Sequence, residues 1–258
     1  MNGYSFTLNT TPIRFKESEC LKRSIHSLLA QSFVPDKVYL CIPYKYKRFR
    51  NFDTVDNPKW LKDLISRNKV KILRGEDYGP ASRYIYVNNV KKEENLTSVC
   101  TADDDVIYNN DIFEKIWKFR EDNHLDAASN WAYYWWNGFP DDFDPSDVDD
   151  SCLYMQGVDM VLTNVDNIDG YVNFVTKCHK EHKDSFMNDD LTFSYYLRYK
   201  GYKVSSIEND LIKSSSPVYK EQETSKDWGR LTDTMGKGKR FNQTFGTIEY
   251  LKSNFLFK

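Results

Sequence analysis

Nowhere in this 258-residue chain does an apolar run approach the roughly 18 residues that a membrane-spanning helix requires. Residues 1–30 hold no basic head followed by an apolar stretch, so the chain is expected to be cytoplasmic, with no membrane span. Cysteine is too scattered to staple a fold. Cys20, Cys41, Cys100, Cys152 and Cys178 are odd in number, widely spaced and mostly set among apolar neighbours, which reads as free thiols in a reducing compartment. In that setting the sequons at Asn9, Asn95 and Asn242 carry no weight. Positive charge is not in surplus either. A formal net charge of -2 argues against a polyanion binder and thus against a nucleic-acid partner. The run Lys45-Tyr46-Lys47-Arg48-Phe49-Arg50, which interleaves basic and aromatic residues as single-strand grooves do, is read as an exposed segment.

What the chain has in quantity is aromatic surface, at 16% of residues, suited to stacking on sugars or bases and equally to filling a core. Its first half alternates strands with helices. Strands are expected at Tyr4–Asn9, Lys37–Ile42, Val70–Leu73 and from Ser98 to Ala102, with a loop opening at Thr10-Thr11-Pro12. Helical spacing of apolar residues marks Glu17–Gln31, Lys59–Arg67, Pro80–Val90 and Asp111–Arg120. This alternation implies an α/β fold, with a mostly parallel, Rossmann-like sheet covered by helices and ligands held at the strands' carboxyl ends. Further strands are expected at Ala127–Trp136 and, unbroken through Gly157, at Leu153–Leu162. Asp141, Asp142, Asp144, Asp147, Asp149 and Asp150 lack the central glycine and closing glutamate of a calcium loop and read as a solvated loop. Cys178, His179 and His182, interleaved with lysines, likewise read as an exposed segment rather than a zinc site.

Two acidic clusters carry the chemistry. Asp103, Asp104 and Asp105 follow the apolar run Ser98–Ala102; continued strand geometry sends Asp103 and Asp105 to one side and Asp104 to the other. Two carboxylates at a strand end suit a hard divalent cation whose shell is completed by phosphate. Asn188-Asp189-Asp190 precedes a helix from Leu191 to Lys200 closed by Gly201, with Asp189 the expected N-cap. A carboxylate fixed at such a helix start can accept a proton from a substrate hydroxyl.

In motif order, residues 4–207 resemble the GT-A glycosyltransferases, particularly small inverting enzymes of the large nucleotide-sugar family. The features that carry this are Phe6 to Pro12, Ser27-Leu28-Leu29-Ala30-Gln31, the Asp77-Tyr78-Gly79-Pro80-Ala81-Ser82-Arg83 turn, the Asp-x-Asp at 103–105, and Asp189-Asp190 ahead of Gly201-Tyr202-Lys203-Val204. The resemblance implies a metal-dependent, inverting transfer from a nucleotide sugar, most simply a UDP-sugar, to a hydroxyl of a glycan acceptor. It further implies Mn2+ or Mg2+ on Asp103 and Asp105, and Asp104 at the ribose or metal-bound water. Arg83 would contact the diphosphate or donor sugar, and Thr10, Thr11, Asp77 and Tyr78 the nucleoside, with Asp190 as general base. Where many relatives place an acidic nucleotide-contacting loop, this chain has Cys41–Tyr46, so Tyr44 joins Asp77 as the expected base contact. Trp131, Trp135, Trp136 and Asp189 are the expected acceptor contacts. Residues 1–210 would form the catalytic domain, divided near 107 into nucleotide and acceptor halves, with 211–258 as an extension packed upon it. One alternative, a nucleotidyltransferase making a sugar nucleotide, lacks its phosphate loop, since Asn9 to Phe15 has no glycine.

Overall fold

The fold is taken from a computed structural model that describes residues 3–17, 19–49, 56–134, 153–209, 219–222 and 237–255. Strands β1 (Tyr4–Asn9), β2 (Val38–Pro43), β3 (Val70–Gly75) and β4 (Ser98–Thr101) run parallel in the spatial order β3-β2-β1-β4. Helices α1 (Pro12–Glu17) and α2 (Glu19–Leu29) connect β1 to β2. After them, α3 (Lys59–Ser66) leads to β3, and a 3-10 turn at Gly79–Ala81 opens α4 (Ser82–Val90) ahead of β4. Pro12 therefore starts a helix where a loop is expected. A first-turn amide makes no intrahelical bond, so proline loses nothing there.

β5 (Val106–Tyr108), α5 (Ile112–Asp122) and β6 (Ala127–Tyr134) come next, then β7 (Leu153–Met155), β8 (Val161–Asn164), α6 (Tyr171–Glu181), α7 (Asp189–Tyr199), β9 (Val204–Asn209), β10 (Tyr219–Gln222) and α8 (Lys237–Asn254). β8 pairs antiparallel with β4 and passes the sheet to β6. β7 pairs antiparallel further along β6, and β9 runs parallel to it, completing eight strands, while β5 and β10 form a separate two-stranded sheet. The expected strand Leu153–Leu162 is broken by a 3-10 turn at Gly157–Asp159. Asn188, rather than Asp189, precedes α7, so Asp189 and Asp190 occupy its first turn.

All six residues of β2 are buried, the mark of a parallel strand covered on both faces. Val38, Leu40 and Ile42 meet Leu21, Ile25 and Leu28 of α2 and Leu61 and Leu64 of α3. Tyr39 and Cys41 face the opposite layer, built with Tyr84 and Val87 of α4 and Phe193 of α7. At about 1.5–3 kcal/mol for each fully buried large apolar side chain, these two layers hold the sheet. Much of the aromatic content goes here, with Tyr4 stacked on Phe113 at 4.1 Å and Tyr84 on Phe193 at 3.7 Å. Ile248, Leu251 and Phe255 bring α8 and its end into the second layer. Among the described residues no helix is long and apolar enough to cross a membrane. Cys20, Cys41, Cys100 and Cys178 are buried and unbridged; Cys152, Trp135, Trp136 and the acidic stretch 141–150 lie outside the described residues.

The β2–β3 edge is tied to the end of α4 by Glu94, which accepts hydrogen bonds from Lys37, from Lys71 at 2.6 Å and from the Tyr39 hydroxyl at 3.0 Å. Lys37 and then Lys71 hold its carboxyl down at about 2. Such a group adds stability above its unfolded pKa and loses it as pH falls toward the folded one. Glu94→Gln is expected to cost about 1 kcal/mol at pH 7. In urea unfolding, its difference from the parent should shrink as pH drops from 4.5 toward 2.

Candidate active site

Where the parallel strands end, four loop segments and the start of α7 border a cavity of about 520 Å³, within the usual range for a small-molecule site. Asn9, Thr10, Thr11 and Arg14 contribute from the β1 end, and Tyr46, Arg48 and Phe49 from the loop after β2. Asp77, Gly79, Pro80 and Arg83 come from the α4 entry, Asp103, Asp104 and Asp105 from the β4 end, and Asp189, Asp190 and Leu191 from α7.

At its centre lies Arg83, only 5% exposed. Its Nε and Nη2 donate to Asp189 Oδ2 at 3.1 and 2.6 Å, Nη1 donates to Asp103 Oδ1 at 2.9 Å, and Nη2 also reaches Asp190 Oδ1 at 3.1 Å. One planar cation thus ties the Asp triplet to the Asp189-Asp190 pair, a task that suits a rigid guanidinium fork. Burial works against the Arg83 charge, but Asp189, with Asp103 and Asp190, outweighs it and raises its pKa above the ordinary arginine value. Asp190 is shifted the opposite way from an ordinary carboxylate in a salt bridge. Burial and then neighbouring Asp189 push its carboxyl up, against the pull of Arg83 and of the Gly157 amide, which donates to Asp190 Oδ1 at 2.9 Å.

Gly157 explains the broken strand. A Cβ placed there would overlap the Arg83 guanidinium, so with any other residue that side chain would have to shift from its carboxylates. Two residues on, buried Asp159 has an Oδ2 without a partner among the described residues, and burial and then Asp103 push its carboxyl up to about 7.

The triplet is not grouped as strand alternation predicts. β4 stops at Thr101 and the chain turns at Asp104-Asp105, so period-two geometry does not extend that far. Asp103 goes to Arg83, whereas Asp104 and Asp105 share Arg14, with Arg14 Nη2 to Asp105 Oδ2 at 2.9 Å. All three still border the one cavity. Of these, Asp103 is the most open, its side chain 35% exposed, and Asp104 keeps one buried oxygen with no donor among the described residues. No three His, Cys, Asp or Glu side chains among the described residues converge as a ready metal cage. Two carboxylates and an unfilled oxygen do fit a hard cation that draws its remaining ligands from phosphate and water.

Thr10, Thr11, Asp77, Arg83, Asp103, Asp104, Asp105, Asp189 and Asp190 therefore come together; Tyr44, 69% exposed, Tyr78 and Trp131 are not among the lining residues. Asp77 is committed to structure as well, accepting the Lys47 amide at 2.6 Å and the Gly79 amide at 2.8 Å, so that it fastens the post-β2 loop to the α4 entry. Through that fastening Tyr46 reaches the wall and donates to the Thr10 carbonyl at 2.9 Å. Trp131 begins a row that continues through Tyr133 to Tyr154, and Tyr154 lines the cavity with Phe186. Arg14, Tyr46, Arg48, Phe49, Tyr154, Gly157 and Phe186 escaped the sequence reading. For Arg14 a signal existed, since Pro12 at a helix start places it one turn beyond β1.

No family model matches the chain, and no curated protein matches its sequence. Its fold has clear relatives among solved structures. TarS of S. aureus overlays with a TM-score of 0.50 and 14% identity over 80% of this chain and 35% of that one. TarS 1-349 in complex with UDP gives 0.53 and 11% over 100% and 67%. A mannosyltransferase from Pyrobaculum calidifontis in complex with GDP-Man and Mn2+ gives 0.50 and 13% over 80% and 55%. The chain spans about a third of the first TarS chain and about half of the mannosyltransferase chain. The fold is thus of the GT-A glycosyltransferase type, a mostly parallel central sheet flanked by helices.

Because the Arg83 bridge depends on the space above Gly157, Gly157→Ala is expected to displace the guanidinium and strand its carboxylates. Breaking a buried ion pair costs about 3–5 kcal/mol. Thermal unfolding should therefore show a large drop, and Ser5→Ala, elsewhere in the core, should not reproduce it.

Proposed function

We propose that this chain is a transferase that moves a sugar from a nucleoside diphosphate, UDP in the simplest case, to a hydroxyl of a glycan acceptor, inverting the anomeric centre. The observation that carries the reading is the Arg83 bridge, which puts Asp103 and Asp190 on one guanidinium at one cavity. Asp103 and Asp105 would hold Mn2+ or Mg2+. Such an ion, when bound, supplies Lewis-acid neutralisation of a departing diphosphate.

Every other part is played by side chains of the chain itself. Thr10, Thr11 and Asp77 border the nucleoside space, with Tyr46 and Phe49 offering ring faces and edges that suit a base; Asp104 would meet the ribose. Asp190 would take the acceptor's proton. Both of its donors, Arg83 and the Gly157 amide, fall on Oδ1, which leaves Oδ2 for the incoming hydroxyl. A carboxylate whose pKa is lifted toward neutrality is also a better base than an ordinary aspartate. Asp189, held in two bonds by Arg83, keeps that guanidinium in place beside the reacting groups. Acceptor rings would lie against Tyr154 and Phe186, which occupy the wall where Trp131 does not reach.

A screen of UDP- and GDP-sugars with Mn2+ should find one donor that raises the melting temperature and is slowly hydrolysed, with the protection removed by chelation. Release of pyrophosphate from a nucleoside triphosphate and a sugar phosphate would instead identify a nucleotidyltransferase. With the correct donor and acceptor, Asp190→Asn is expected to lower kcat by about 100- to 10,000-fold while leaving the donor Kd unchanged. Equal turnover by the variant would exclude Asp190 as the base.

A further inference from the structure

Three arginines border the cavity, and two of them are already matched. Arg83 is tied to Asp103, Asp189 and Asp190, and Arg14 to Asp104 and Asp105. Arg48 has no ion pair or hydrogen bond among the described residues. Its guanidinium lies 4.5 Å over the Phe49 ring, in a loop fixed by the Lys47 amide on Asp77 and the Tyr46 hydroxyl on Thr10. A guanidinium does not shed its proton in a protein. The loop therefore presents a fixed positive charge to the cavity on the wall that also carries Arg14, with Thr10 and Thr11 beside them. Asp77 and Asp104 act on the Arg48 charge without forming an ion pair with it, and Arg14 on the same wall repels it, so an anion reaching both arginines would be held by two guanidinium groups. Phosphate oxygens match the arginine fork better than any other common anion of this size except a carboxylate, and six aspartates already line the cavity.

We propose that Arg48, backed by Arg14, is a phosphate clamp for the donor's diphosphate, supplied by the chain itself, so that nucleoside diphosphate binding persists in weakened form without a divalent ion. This rests on the glycosyltransferase reading for the identity of the donor, but the clamp itself needs only a diphosphate.

Calorimetric titrations of the full chain with UDP, GDP, inorganic pyrophosphate and uridine, all in the presence of chelator, test it. The parent chain is expected to bind pyrophosphate and one nucleoside diphosphate, and Arg48→Gln to weaken both by at least about tenfold. Uridine binding should be unchanged, and Arg48→Lys should recover part of the loss. The clamp is overturned by Arg48→Gln binding pyrophosphate and the diphosphate like the parent, or by uridine being lost in the same proportion. It is equally overturned if chelation alone abolishes diphosphate binding by the parent. Arg48-dependent pyrophosphate binding by a chain that takes no nucleotide sugar would uphold the clamp and reject the glycosyltransferase reading. Sugar transfer that survives alongside full diphosphate affinity in Arg48→Gln would do the reverse.

Discussion

A single buried guanidinium organises this molecule's chemistry. Arg83 enters from the first turn of α4, is covered by Gly157, and holds carboxylates from the end of β4 and the start of α7 on one guanidinium. Isolated, such a charge would be very costly to bury; with three carboxylates on its donors it becomes the fixed point to which the surrounding loops are referred. The strands that carry these loops are held by two apolar layers, so the site's geometry is set by rigid elements rather than by the loops alone.

The cavity divides its charges by arginine. Arg14 balances Asp104 and Asp105, Arg83 balances Asp103, Asp189 and Asp190, and Arg48 lines the same cavity with no ion pair among the described residues. Acidic residues outnumber these cations along the wall, which is the electrostatic setting that favours uptake of a metal together with a phosphate-bearing ligand. Asp159, buried near Asp103 and outside the cavity lining, is pushed by burial and by Asp103 toward its uncharged form.

Much of this was legible in the residues. β1 runs from Tyr4 to Asn9 as the β-rich segment indicates, and the strand–helix alternation up to Val90 follows from apolar spacing. Both acidic clusters stood out because charge directly after a buried strand or before a helix is costly unless it is used. The internal grouping of the triplet was not legible, since it depends on β4 ending at Thr101, one residue before the apolar run does. Neither was the break at Gly157: only the arginine packed against it, 74 positions earlier in the chain, requires that glycine. Tyr46 rather than Tyr44 reaches the cavity because Asp77 captures the Lys47 amide, a tertiary contact with no local signature. Arg48 sat in a run read as an exposed segment, where spacing says nothing about direction.

Anomalous diffraction at the manganese edge, from crystals grown with Mn2+ and UDP, tests the central claim most directly. One manganese peak is expected against Asp103 and Asp105, with diphosphate density running from it toward Arg48 and Asp190 open to the side where the sugar would lie. Manganese or nucleotide density elsewhere on the molecule, with the Arg83 carboxylates left facing solvent, would contradict that claim.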